Sequence, residues 1–201
     1  MSAALFTVGH STHQLATFIE HLKQHKISAI ADVRSQPYSR INPQFNRELL
    51  QSSLREVEIS YVFLGRELGA RSEDESCYVA GQVQYNRLAQ TALFQRGLQR
   101  LKKGVSTHRI TLMCAEKDPL TCHRSILICR HLVEQGLTVQ HILEDGRLES
   151  HDAAIARLLT ELGIEQDLFR NNQDVIADAY AQRGAQIAYV DKFSASPRAS
   201  R

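Results

Sequence analysis

The stretch from Cys114 to Arg124 (CAEKDPLTCHR) holds two thiols, two carboxylates, an ammonium, an imidazole and a guanidinium. Pro119 and Thr121 favour a turn followed by a helix cap, which sets Cys122 in the first turn of a helix. There the unpaired backbone N–H groups and the helix dipole favour negative charge. His123 and Arg124 add positive charge beside it. All of these lower a thiol pKa, so Cys122 is expected to be partly thiolate, the reactive form of cysteine. Cys114 closes an apolar run and is either the last core residue of a strand or, if it faces a cleft, a partner thiol. Cys129 shares a stripe with Ile126 and Val133 and reads as core. Cys77, in a polar stretch, reads as incidental.

Two further groups carry chemistry. Gly9-His10-Ser11 offers a candidate general base or ligand in His10 and a candidate phosphate-binding hydroxyl in Ser11; a capped loop is the alternative for both. Asp32 and Arg34 alternate, so both can point one way. They read as an acid, base or orienting group and an anion clamp, or else as a surface ion pair. Glu116 is a candidate to orient His123 or to bind a metal. Tyr38 and Arg40 are weaker candidates for the same mouth.

The elements that must position these residues follow from apolar periodicity. Residues 5–8, 28–33, 60–64, 109–114 and 138–143 read as strands. Helical spacing marks Leu15, Phe18, Ile19 and Leu22, with Thr12 as cap. It also marks 44–57 (Phe45, Leu49, Leu50 and Leu54 on one face), 83–103, 121–135 and 151–162. Residues 187–190 (IAYV) read as a late strand or an apolar anchor. The polar segment 65–81 is long for a connection and reads as a lid or binding loop. Strands alternating with helices predict an α/β fold: a mostly parallel sheet with helices on both faces, three-layer and Rossmann-like, plus a C-terminal helical extension. Ligands of such sheets bind beyond the carboxyl ends of the strands. Gly9–Ser11, Asp32–Arg34 and Cys114–Glu116 all fall there.

At the scale of the chain, 201 residues suit one α/β domain (1–165), an extension packed on it (166–192) and a disordered tail (193–201). A net charge of +2, with 43% hydrophobic and 23% charged residues, excludes general disorder and gives nucleic acid no support beyond a local patch. The opening MSAALFTVGHSTHQ lacks the basic flank and length of a signal peptide, and no run approaches ~18 apolar residues, so a cytoplasmic location without a membrane span is expected. Reduced thiols follow from that compartment. No cofactor and no oligomeric state is legible.

TVGHS, DVRSQPYSR, the Phe45–Leu50 stretch, ISYVFLGRELGARS and CAEKDPLTCHR occur together and in order. This set resembles the domain of unknown function 488 family over roughly residues 5 to 145. The resemblance implies signature residues Gly9, His10, Ser11, Asp32, Arg34, Pro37, Cys114, Glu116, Cys122, His123 and Arg124, and supplies no reaction. Where the family motif ends Leu-Gly-Gly, this chain has Leu68-Gly69-Ala70, so the second glycine is not needed for backbone geometry.

Three functions compete. One is a thiol-dependent enzyme on a small anionic substrate, with Cys122 as nucleophile, His123 or His10 as base, and Arg34 and Arg124 as anion clamp. A second is a zinc or iron site using Cys114, Cys122 and His123, with Glu116 and His10 as further candidates. A third is a non-catalytic nucleic-acid or nucleotide-binding module.

Overall fold

A computed structural model describes residues 4–164 and 171–191. In chain order the elements are β1 (Ala4–Gly9), α1 (Leu15–Gln24), β2 (Ala29–Asp32), α2 (Arg47–Glu56), β3 (Ser60–Phe63), α3 (Gly65–Leu68), β4 (Tyr78–Val79), β5 (Gln82–Val83), α4 (Tyr85–Gln90), α5 (Ala92–Gly104) and β6 (Ile110–Cys114). A π-helical segment (Arg124–Cys129) then runs into α6 (Arg130–Glu134), followed by β7 (Thr138–Ile142), β8 (Leu148–Ser150), α7 (His151–Glu161) and α8 (Asn172–Ile187).

The main sheet has the order β3-β2-β6-β1-β7-β8, parallel except for β8 at the edge. The α/β architecture expected from the alternation of elements is present. Because β2 and β6 are covered on both faces, they read as continuous apolar runs and are buried at every position. One face packs Phe6, Val8, Ile30 and Met113 against Phe18 and Leu22 of α1 and Leu50 and Leu54 of α2. The other packs Leu5, Ala31 and Leu112 against Phe94, Leu98 and Leu101 of α5 and Leu127 and Ile128 of the π-helical segment. A third cluster joins Leu120 and Ile126 to Leu158 of α7 and to Val175, Ala179 and Tyr180 of α8.

Local chemistry moves several boundaries. Thr12 does not cap α1; the N-cap position is Gln14, and no side chain bonds there. Leu49 is exposed, since α2 starts only at Arg47 and turns Leu50 and Leu54 inward, while Phe45 belongs to a preceding 3-10 turn. The 83–103 helix is two helices, because extended Thr91 ends α4 and its hydroxyl caps α5 at Phe94 N. The segment 65–81 is structured: α3, a 3-10 turn at Glu75–Cys77 and the hairpin β4-β5. Residues 189–191 extend that hairpin through Val83 N to Tyr189 O (2.9 Å) and Asp191 N to Gly81 O (2.7 Å). Strand β8, antiparallel on a parallel sheet, has no counterpart in the sequence reading. The tail 193–201 and residues 166–170, the start of the expected extension, lie outside the described residues.

Candidate active site at the carboxyl edge of the sheet

Strands β2, β6 and β1 are neighbours, in register Gly9↔Cys114 and Asp32↔Met113, so their three ends converge. His10 N donates to Cys114 O (2.9 Å), Ser11 N to Ala115 O (2.9 Å) and Val33 N to Met113 O (3.1 Å). The period-two alternation of strands then divides the side chains. Cys114 falls on the α5 face and Asp32 on the α1–α2 face.

On the α5 face, the ligand-type atoms of Cys114, Glu116, Cys122 and His123 all lie within 4.8 Å of one another. His123 Nδ1 stands 3.8 Å from both sulfurs. Its Nε2 is 3.0 Å from Val33 O. A carbonyl only accepts, so Nε2 carries the proton and Nδ1 is the nitrogen turned to the sulfurs. Glu116 is exposed as a residue, but its carboxyl end turns inward to 3.0 Å from Cys122 Sγ. That contact needs one proton, since without it two negative charges face each other. Burial and then the Cys122 charge raise the Glu116 pKa. Burial alone would raise Cys122; the Cys114 thiol, Arg124 and His123 outweigh it and hold Cys122 well below the ordinary thiol. Cys114 moves up, through its hydrogen bond to Cys122 and its burial.

Cys122 is not inside the first helical turn. A 3-10 turn, Pro119–Thr121, precedes it and is capped by Asp118, not by Thr121. Cys122 itself is extended (φ −132°, ψ 139°), its carbonyl accepts from Ile126 N (3.1 Å), and its sulfur accepts from Arg124 N (3.4 Å). The sulfur thus takes the place of an N-cap oxygen. The helix that follows is π-helical at first, a geometry concentrated at functional sites.

Arg124 does not face a cleft as a clamp. It is 0% exposed, and its guanidinium donates to Glu116 O (2.7 Å) and Lys117 O (3.1 Å), with Nε 3.4 Å from Thr7 Oγ1. It is a strut that holds the Glu116–Lys117 loop and leaves its charge beneath Cys122. Gly9 serves the same loop: a Cβ there would stand 1.9 Å from Glu116 O, so only glycine lets the loop approach β1. From Thr7 a buried chain of hydrogen bonds runs outward, through His141 Nδ1 (2.8 Å), His141 Nε2 to His151 Nδ1 (3.0 Å) and His151 Nε2 to Tyr180 OH (2.7 Å).

On the other face, Arg34 grips Asp32 through Nε to Oδ1 (3.0 Å) and Nη2 to Oδ2 (2.7 Å), and also donates to Phe45 O (2.9 Å). This pair is buried, at 6% and 0% exposure, and is not a surface ion pair. Tyr61 OH donates to Asp32 Oδ2 (2.7 Å). His10 stacks on Phe45, gives Nδ1–H to Ser11 O (2.9 Å) and presents Nε2 to Arg34 Nη1 (3.2 Å). Burial and then Arg34 push its pKa down to about 4. His10 is therefore neutral, with its lone pair taken by Arg34. It supplies neither a free base nor a ligand to the thiol cluster.

Two adjoining cavities open at this edge. One, of about 470 Å³, is lined by His10, Ser11 and Arg34. The other, of about 330 Å³, is lined by Arg34, Cys114, Glu116 and His123. Arg34, Glu116 and Tyr38 border both, while Cys122, 1% exposed, borders neither. A family model described as a domain of unknown function, DUF488, matches residues 14–130. The chain belongs to that family. No curated protein and no solved structure matches it. The DUF488 span takes in Asp32, Arg34 and the whole Cys114–Arg124 segment. It excludes Gly9–Ser11 on one side and His141, His151 and Tyr180 on the other.

Thr7, Tyr61, Arg157 and the His141–His151–Tyr180 chain escape a reading by motif. Tyr61 meets Asp32 only because β3 pairs with β2, which strand order decides. Arg157 holds Asp118 (2.9 and 3.1 Å) together with Glu149 and Glu161, and so braces the turn before Cys122 from α7.

Proposed function

We propose that this DUF488 chain is a cytoplasmic, metal-dependent enzyme acting on a small anionic substrate, with zinc held by Cys114, Cys122 and His123 and, exchangeably, by Glu116. The observation that carries the reading is the convergence of four donor atoms within 4.8 Å, His123 Nδ1 being 3.8 Å from each sulfur. Tetrahedral zinc, with bonds of about 2.3 Å to sulfur and about 2.0 Å to nitrogen, spaces S and N by about 3.5 Å. The carbonyl bond at Nε2 is the outer-shell contact that orients a metal-ligating histidine. Two thiolates and one imidazole with a fourth, exchangeable position are a catalytic ligand pattern. A bound ion would act as a Lewis acid or supply hydroxide at neutral pH. Access runs through the 330 Å³ cavity, which borders Cys114, Glu116 and His123. All four cysteines are free thiols, in keeping with a reducing compartment, and among the described residues no helix is long and apolar enough to cross a membrane.

The test is elemental analysis of protein purified without added metal. About one equivalent of zinc is expected, and its loss in Cys122→Ser and in His123→Ala with the fold retained by circular dichroism. Less than about a tenth of an equivalent in the unaltered protein overturns the reading.

A thiol-dependent enzyme is the second reading, favoured by the low pKa of Cys122. In that case Cys114, which borders the cavity, is the first sulfur a substrate meets. Alkylation of chelator-treated protein separates the two: rapid modification of either thiol at neutral pH, with full activity before chelation and after it, favours thiol chemistry.

A further inference from the structure

Of the three arginine and lysine side chains that line these two cavities, two are matched with carboxylates. Arg34 is paired with Asp32, and Lys117 with Glu144. Arg71 borders the 330 Å³ cavity and forms no ion pair among the described residues. Its position is nonetheless fixed. Its backbone N–H donates to Ser35 Oγ (3.1 Å), next to Arg34 in the chain, and its guanidinium lies 4.4 Å over the ring of Tyr189. A stacked guanidinium has its flat face covered and its N–H edge free for a bidentate oxyanion. Tyr189 is itself held by the carbonyl bond to Val83 N. Gly69 shapes the approach, since a Cβ there would meet Gly65 O at 2.3 Å and Ser35 Oγ at 2.5 Å. Ala70, the departure from the family motif, keeps an ordinary negative φ.

A second polar group lies on the same wall. The hydroxyl of Tyr85 makes no side-chain hydrogen bond among the described residues, and the residue lines the same cavity as Cys114, Glu116 and His123. Tyr38, Tyr189 and Ile187 give the wall flat or apolar surface, beside the polar side chains of Gln36 and Thr121. A cavity of about 330 Å³ admits only a compact molecule.

We propose that Arg71, stacked on Tyr189, and Tyr85 form the substrate-recognition wall of the cavity. The ligand class is a small organic oxyanion, a carboxylate or a phosphate monoester, carrying a flat unsaturated body. The oxyanion takes the N–H edge of Arg71, the flat body lies against the tyrosines, and Tyr85 OH donates to the end nearest the thiol cluster. The inference deepens the metal-dependent reading and rests on it only for the chemistry that follows binding.

The test is calorimetric titration of the purified full chain with phenyl phosphate, benzoate and inorganic phosphate, with metal content measured on the same samples. Unaltered protein is expected to bind phenyl phosphate or benzoate more tightly than inorganic phosphate; whichever binds identifies the oxyanion. Arg71→Gln is expected to weaken that probe about tenfold or more, and Arg71→Lys less, because it keeps the charge but loses the fork. Tyr85→Phe is expected to weaken it severalfold, with the metal content of all three variants unchanged. Equal affinities in the unaltered protein and Arg71→Gln overturn the proposal. So does the failure of every probe to bind a protein that holds its metal, which leaves the metal reading standing. Binding that depends on Arg71 in a protein without metal sustains the wall and removes the metal.

Discussion

Gly9 is the residue on which the site is most narrowly built. Its missing side chain lets the Glu116 and Lys117 carbonyls reach Arg124, and through them the cluster keeps its shape. Gly9→Ala is expected to lower stability by about 2–3 kcal/mol and to reduce metal retention, read by urea unfolding and elemental analysis. Gly136→Ala is the control. It meets no atom within 4 Å but has φ +86°, so it should cost only about 1 kcal/mol and leave metal content at the level of the unaltered protein. Equal effects of the two substitutions would remove the packing argument. The residue types of the site were legible because Cys, His, Glu and Arg cluster at strand ends. The roles of Arg124 and His10 were not, since side-chain hydrogen bonding decides them. Nothing in CHR says that the arginine points inward to carbonyls, and nothing in GHS says that the histidine lone pair is spent on Arg34.

The turn before Cys122 is an element without intrinsic stability: one 3-10 turn, a side-chain cap from Asp118, and a π-helical start. It is braced from outside by Arg157, which bonds Asp118, Glu149 and Glu161 at once. Arg157→Ala is expected to cost about 1 kcal/mol overall. It should also speed amide exchange at Leu120 and Cys122 while leaving β7 protected. Uniform exchange across both would mean that the brace acts on the whole fold. Strands and helices of the sheet were legible from apolar runs and three-to-four spacing. The break at Thr91, the inserted hairpin and β8 were not, because each depends on a cap or a pairing partner distant in sequence.

For the molecule as a whole, buried histidines lower stability in acid, among them His141, which burial and then His151 hold well below the ordinary imidazole value. Burial, reinforced at His10 by Arg34, pushes both His10 and His151 down to about 4. Both are neutral when folded, while the unfolded chain protonates them below pH 6.5. The unfolded state therefore binds more protons between pH 6.5 and about 4, and stability falls as pH falls through that window, by on the order of 3 kcal/mol for each. Urea midpoints measured from pH 7.5 to 4 should show this slope, and His151→Gln should flatten part of it; identical slopes would exclude His151 as a source. The strand order has a consequence of a different kind. Strand β6 lies between β1 and β2, although helix α1 joins those two directly. During synthesis the first strands emerge with the space between them empty, and it is filled only when Ile110–Cys114 arrives from the second half of the chain. Until then Gly9 has no Cys114 beside it and Val33 no Met113, and the ribosome must release the residues through Arg124 before a pocket exists. Assembly of the site is thus a late event on the folding path, and a chain interrupted before that point carries the signature residues of its first half with no site to place them in.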